Sequence, residues 1–229
     1  MTSSQTYAFN PSFSDVILSA YARIGVRRTA LVAEHLTDAY NEGNYLLAQI
    51  SNLQPLLWES VELSQVLTEG VATYVLPAKT VMLLLVTIQT GSGTSTNDRV
   101  IGPLSTVEYA SIPNKTTQAP PTSYWFNRQI TPEITFWQVP DGNGPYTAKM
   151  RAVTQVQDAL VASGATLDLP YRAIDFFVAG LSHRLARIYK PELELQRKQD
   201  AMDAWNIFSG NDVENVPMMI APMLGSYYR

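Results

Sequence analysis

Along residues 29–58 the positions Val32, Leu36, Ala39, Gly43, Leu46, Ile50, Leu53 and Leu57 recur at alternating steps of four and three, the spacing of one helix face packed on another. Glu34, Asp38, Asn41, Glu42, Gln49 and Asn52 fill the opposite side, so the segment reads as an amphipathic helix and not as a membrane span. Thr29 is placed to cap its start and Pro55 to stop it, which predicts a helix from Thr29 to Gln54, roughly 40 Å long at 1.5 Å per residue. Gly43 inside the seam implies a second helix packed close. Ahead of it, Ser12 with Asp15 three residues on is a helix-start signature. Phe13, Val16, Ile17, Ala20, Tyr21 and Ile24 then follow the helical template up to Gly25, and Arg27 and Arg28 fall in the link.

After Trp58 the period shortens. Residues 59–67, 72–76, 80–89 and 99–104 are rich in Val, Leu, Ile and Thr and are separated by Gly, Pro, Ser and Asn, a strand texture. The run from Gly91 to Asn97 has little to pack and predicts an exposed loop. Ser105 with Glu108 is a second capping pair, opening a short helix near Tyr109. Strands resume at 124–129 and 133–139, and the turn-forming residues 140–145 predict a hairpin link to a last strand over 146–157.

Helical spacing returns at Ile174, Phe177, Val178, Leu181, Leu185 and Ile188, with Asp168 as the expected cap and Pro170 in the first turn. This stripe is the natural partner for the opening helix. Pro191 forces a break at Lys190. A last helix carries Ala201, Ala204, Trp205 and Phe208 on one side, places Glu194 one turn from Lys198, and stops at Gly210. The expected fold class is α+β. Terminal helices (12–58 and 158–209) form a helical bundle around an inserted antiparallel β-sandwich or small barrel (59–157). An N-terminal arm (1–11) and an extended C-terminal arm (210–229) complete the chain.

The arm combines Pro217, Met218, Met219, Met223, Leu224, Tyr227, Tyr228 and Arg229. Its prolines forbid a regular helix, while its apolar and aromatic content suits docking on another chain or a strap over this one's own core. Arg184, Arg187, Lys190, Arg197 and Lys198 form the one basic cluster, readable as helix solubility or as a contact with DNA or an acidic partner. The net charge of −4 and the scatter of the other basic residues argue against a phosphate-gripping clamp. The absence of cysteine removes disulfides and thiolate chemistry. The polar opening residues predict no signal peptide, and the longest apolar run, 81–86, is too short to cross a bilayer. His35 and His183 lack a second ligand at helical spacing, Asp141-Gly142-Asn143-Gly144 lacks the downstream glutamate of a calcium loop, and no phosphate loop or nucleophile elbow is present. No catalytic, cofactor or metal site is expected.

A set of residues in the strand block points further: Tyr74-Val75-Leu76-Pro77, Ile101-Gly102-Pro103-Leu104-Ser105 with Glu108-Tyr109, Ile112-Pro113-Asn114-Lys115, Pro121, Tyr124-Trp125-Phe126-Asn127-Arg128-Gln129, Phe136-Trp137-Gln138-Val139-Pro140-Asp141 and Tyr146-Thr147. With Pro170, Ala179-Gly180-Leu181 and Leu185-Ala186 in the helices, the set resembles the adaptor or tail-accessory proteins at the head-to-tail junction of tailed bacteriophages. It differs from their compact, nearly all-helical members in its large β block. The resemblance implies a ring-forming subunit, commonly a dodecamer, that binds the portal protein, receives tail or nozzle proteins and surrounds double-stranded DNA without reading its sequence. It implies a virion location after assembly in the host cytoplasm, with no membrane partner. Docking through terminal segments would assign residues 217–229 as the portal or subunit interface. The alternative is a virion-associated module that grips a carbohydrate or receptor through the β domain, with Trp125 and Trp137 as the aromatics to hand.

Overall fold

The computed structural model describes residues 9–53, 56–93, 95–160 and 165–212. Helix α1 (Phe13–Arg23) starts where its sequence predicts: the Ser12 hydroxyl accepts the Asp15 N–H at 3.2 Å and donates to the Asp15 carboxylate at 2.7 Å. Gly25, at φ +78°, supplies the left-handed residue that ends the segment.

Helix α2 (Ala33–Leu53) begins four residues later than expected. Thr29 lies instead in a 3₁₀ turn (Arg28–Ala30), and Leu31 is extended, which separates that turn from the helix. The Val32 N–H meets His35 Nδ1 at 3.4 Å. Of the predicted seam, Ala39, Gly43, Leu46 and Ile50 are buried, whereas Val32, Leu36, Leu53 and Leu57 are exposed because they lie toward or beyond the helix ends.

Helix α4 (Ile174–Tyr189), which follows the strands in the chain, touches α1, α2 and α5 (Glu194–Asn211). It is preceded by a 3₁₀ turn (Tyr171–Ala173) capped at Pro170, so Asp168 stands outside the helix. Ile174, Phe177, Val178, Leu181 and Leu185 are buried as predicted, but Ile188 is exposed. Pro191 ends the helix where expected. Helix α5 continues through Gly210 to Asn211, and Glu194 turns back to Arg187 at 3.6 Å instead of forward to Lys198. These helices share one apolar core with Leu56, Val156, Ala159, Leu167 and Leu169. Two glycines permit the close approaches: a Cβ on Gly43 would stand 2.6 Å from the Phe13 ring, and one on Gly180 would stand 2.9 Å from Leu46.

Seven strands form one curled sheet: β1 (Ser60–Leu67), β2 (Thr73–Val75), β3 (Thr80–Ser92), β4 (Ser95–Leu104), β5 (Ser123–Asn127), β6 (Glu133–Trp137) and β7 (Tyr146–Thr154). Their order is β1-β7-β3-β4-β5-β6-β2. Consecutive strands β1 and β2 thus occupy opposite edges while only residues 68–72 join them, and this short link draws the edges together into a half-barrel. A second core fills its concave side, with Val86, Ile88, Ile101, Tyr124, Ile134, Phe136, Ala148 and Met150 at its centre.

A single curled sheet, a half-barrel, stands where an antiparallel β-sandwich or small barrel is expected. It is mixed: β4 pairs antiparallel with β3 over Val86↔Ile101 to Ser92↔Ser95, then parallel with β5 over Gly102↔Ser123 to Leu104↔Trp125. The switch falls between Ile101 and Gly102, and the connection through α3 (Thr106–Ser111) is long enough for a parallel crossover. Residues 140–145 turn as their composition predicts but do not form a hairpin, since β6 lies between β5 and β2 while β7 lies between β1 and β3. The Gly91–Asn97 run, expected as a loop, extends the β3–β4 ladder through Thr90↔Asn97 and Gly91↔Thr96. Backbone bonds, with the Thr90 hydroxyl donating to the Asn97 carbonyl at 3.2 Å, sustain these exposed polar residues as strand.

Where sheet meets helices, the Thr154 hydroxyl donates to the Glu59 carbonyl and carboxylate (3.3 and 3.1 Å), and the Gln155 N–H donates to the Lys79 carbonyl (2.8 Å). Burial raises the Glu59 carboxyl pKa above its ordinary 4.5, with the Thr154 bond partly offsetting it.

Candidate assembly surfaces

The predicted basic cluster lies on α4, α5 and the link between them. Arg184 pairs with Glu42 of α2 at 2.8 Å and donates to Gln49 at 2.7 Å. Arg187 pairs with Glu194 (3.6 Å), Lys190 with Glu192 (3.7 Å) and Arg197 with Asp200 (3.0 Å). Lys198 is exposed and has no ion-pair partner among the described residues. Four of the five cations therefore face local carboxylates, which brings the surface close to charge balance. His183, beside them, has its pKa lowered from the ordinary 6.5 chiefly by burial, against the pull of Glu194 at 4.0 Å. His35 packs instead among aromatics, stacked on Tyr189 at 4.5 Å, while its carbonyl accepts the Tyr21 hydroxyl at 2.7 Å.

The two tryptophans expected of a carbohydrate platform are engaged within the chain. Trp125 stacks on Tyr109 of α3 at 5.0 Å and 8°, and its indole N–H donates to Thr106 at 3.3 Å. The α3 capping box of Ser105 and Glu108 fixes that stack, and backbone bonding to Ser105 lowers the Glu108 pKa. The Trp137 indole donates to the Asn114 carbonyl at 3.4 Å. Asp141 is occupied as well: it accepts from the Tyr146 hydroxyl (2.8 Å), which lowers its pKa, and from Asn143. That arrangement is a turn.

Two apolar surfaces bear on assembly. Helices α2 and α5 flank α4 to form a groove of about 260 Å³ over Gly180, walled by Ile50, Leu53, Phe176, Met202 and Trp205. A cleft of about 570 Å³ opens between the first half of β3 and the diverging end of β4, lined by Leu83, Leu84, Leu85, Val100, Tyr124 and Phe126. In sequence, residues 81–86 are the longest apolar run and fall in the strand expected over 80–89, where apolar side chains are ordinarily covered. Instead Leu84 and Leu85 are 45% and 47% exposed, because the β3–β7 register shifts between Leu83 and Leu85 and β4 leaves before reaching them. Nothing local signals either event.

The other feature missed in sequence is Asp212. Its carboxylate is fully buried, pairs with Arg172 at 2.8 Å and accepts the Leu57 N–H at 3.4 Å, locking the end of α5 to the start of α4 and to the turn before β1. Residues Pro217, Met218, Met219, Met223, Leu224, Tyr227, Tyr228 and Arg229 lie outside the described residues.

Among the described residues no cluster of His, Asp or Glu is arranged to hold a metal ion, and no helix is long and apolar enough to cross a membrane. No curated protein matches the chain. A family model described as SU10 adaptor protein matches residues 11–214, taking in both the helices and the whole strand block. The match covers nearly the same residues that carry the likeness to junction proteins in sequence, and the mixed α+β architecture spans them all; the chain belongs to the SU10 adaptor protein family, a family of phage head-to-tail adaptors, which are structural proteins and not a class of enzyme.

Proposed function

We propose that this protein is a ring-forming subunit of the phage neck, joining the portal to downstream tail or nozzle proteins and extending the channel through which double-stranded DNA passes. The family match over residues 11–214 carries this reading. The surface chemistry supports it. A neutralised basic cluster and a net charge of −4 per chain suit a bore along which DNA slides without being gripped. Twelve such copies would bring about −48. In this reading Lys198 and the paired cations Arg184, Arg187, Lys190 and Arg197 make at most passing, sequence-independent contact with phosphates.

The helices of residues 12–58 and 158–209 act as one module and residues 59–157 as another, each offering its own apolar surface to neighbours. The arm that docks on other chains starts beyond Asp212, because that residue is locked into the helical core. Subunits assemble in the host cytoplasm and finish in the virion.

Light scattering and negative-stain microscopy on the purified chain, alone and with portal protein, test the proposal. Annular particles, formed either way, are the expected result. A monomer that ignores the portal at micromolar concentrations would remove the reading.

A further inference from the structure

The first half of β3 is an open strand edge. Thr80, Met82, Leu83 and Leu85 pair with β7 on one side, with register shifts between Thr80 and Met82 and between Leu83 and Leu85, but on the other side β4 joins only at Val86. Residues 81–85, Val-Met-Leu-Leu-Leu, are the most apolar stretch of the chain, and they border the 570 Å³ cleft with backbone groups that no strand among the described residues pairs on that side. Natural sheets shorten, charge or cover such edges, since a bare apolar edge is a template for another strand. Here it carries no charged residue. What fits is an extended peptide: main-chain bonds along the edge, apolar side chains into the cleft over Tyr124 and Phe126.

We infer that the seat is filled by residues 213–229 of a neighbouring copy, added as a strand along residues 81–85. This rests on the reading of the protein as a ring-forming subunit and deepens it. Within that segment Met218, Met219, Ile220 and Ala221 lie between Pro217 and Pro222. The prolines exclude a helix and bound a strand of about the length of the open edge. Seventeen residues reach up to about 56 Å when extended, ample to cross to the next subunit.

Distance does not separate the neighbour from the same chain; the ring reading selects the neighbour, and pairs of heavy and light copies test it. Asp212 leaves the helical core bonded to Leu57, directly before β1. β1 and β7 both stand between that exit and β3, about 10 Å away at normal strand spacing, and the open edge of β3 faces farther off still. Exit and seat thus lie on opposite flanks of one sheet. A contact between different surfaces of successive copies is the head-to-tail arrangement that closes rings.

The test uses the full-length chain with a photoreactive benzophenone residue in place of Leu84, assembled from a mixture of isotopically heavy and light copies. Irradiation is expected to join β3 peptides to peptides from residues 213–229 in mixed heavy–light pairs. The same reagent in place of Val66 on β1 should not do so. The reverse placement, replacing Met219, should label β3 of another copy, and it guards against a Leu84 variant that fails to assemble. Adducts within one copy only, adducts to other regions, or none from either placement overturn the seat. Particle mass separates the two ideas: rings without these adducts remove the seat and leave the adaptor reading, while a monomer indifferent to portal removes both.

Discussion

Gly43 shows at the scale of one residue how the helical core is specified. An added methyl would gain about 1 kcal/mol of helix propensity, yet it would stand 2.6 Å from a Phe13 ring that is itself fully buried and cannot swing away. Overpacking of this kind costs about 1–3 kcal/mol. Gly43→Ala should therefore lower the melting temperature, and by more than Gly180→Ala, where the opposing atoms are the mobile tips of Leu46. Glu59 offers a residue-scale test in pH. Its folded pKa is raised by burial, so the fold holds the proton more tightly than the unfolded chain. The stabilisation from that proton is present below the unfolded value and is lost as pH rises through the folded one. Glu59→Gln should match the parent at pH 4 and exceed it increasingly toward pH 7, measured by urea unfolding. His183 works in the opposite sense: its lowered pKa gives stability above its ordinary 6.5 that falls away in acid, and His183→Gln should flatten that loss.

Among the elements, α5 is held less by its own amphipathic character than by its ends. Trp205 and Phe208 pack on Phe176 at 5.0 and 5.1 Å, and Asp212 ties the last turn to Arg172 and Leu57. Asp212→Ala leaves the Leu57 N–H and the Arg172 guanidinium without their acceptor. The expected cost is about 1–3 kcal/mol, given that Arg172 is half exposed and can rehydrate. The loss should show in hydrogen exchange first at the end of α5 and the start of β1. An effect confined to α5 would mean the carboxylate does not couple the two.

For the whole molecule, the decisive property is apolar surface that the described residues do not cover on themselves: the β3 edge and the α2–α4–α5 groove. Removing residues 213–229 should leave circular dichroism and melting temperature close to those of the parent, because Asp212 stays in place, while ring formation or portal binding is lost. A truncated chain that unfolds would show instead that the segment straps its own subunit.

Much of this protein is legible along the chain. The α1 cap at Ser12, the α3 capping box, the break at Pro191 and the seam from Ala39 to Ile50 arise from neighbours within one or two helical turns, so local spacing and side-chain chemistry suffice to place them. The start of α2 falls four residues beyond the capping candidate Thr29, because Thr29 lies in a 3₁₀ turn and Leu31 is extended. The likeness to junction proteins also rests on residues readable in order. What tertiary structure alone decided is pairing: which strands meet, that β4 changes partner after Ile101, that β1 and β2 become opposite edges of one curled sheet, and that Leu84 and Leu85 are left at an open edge. Strand pairing joins residues far apart along the chain, so a strand's own composition does not say which strand will lie beside it.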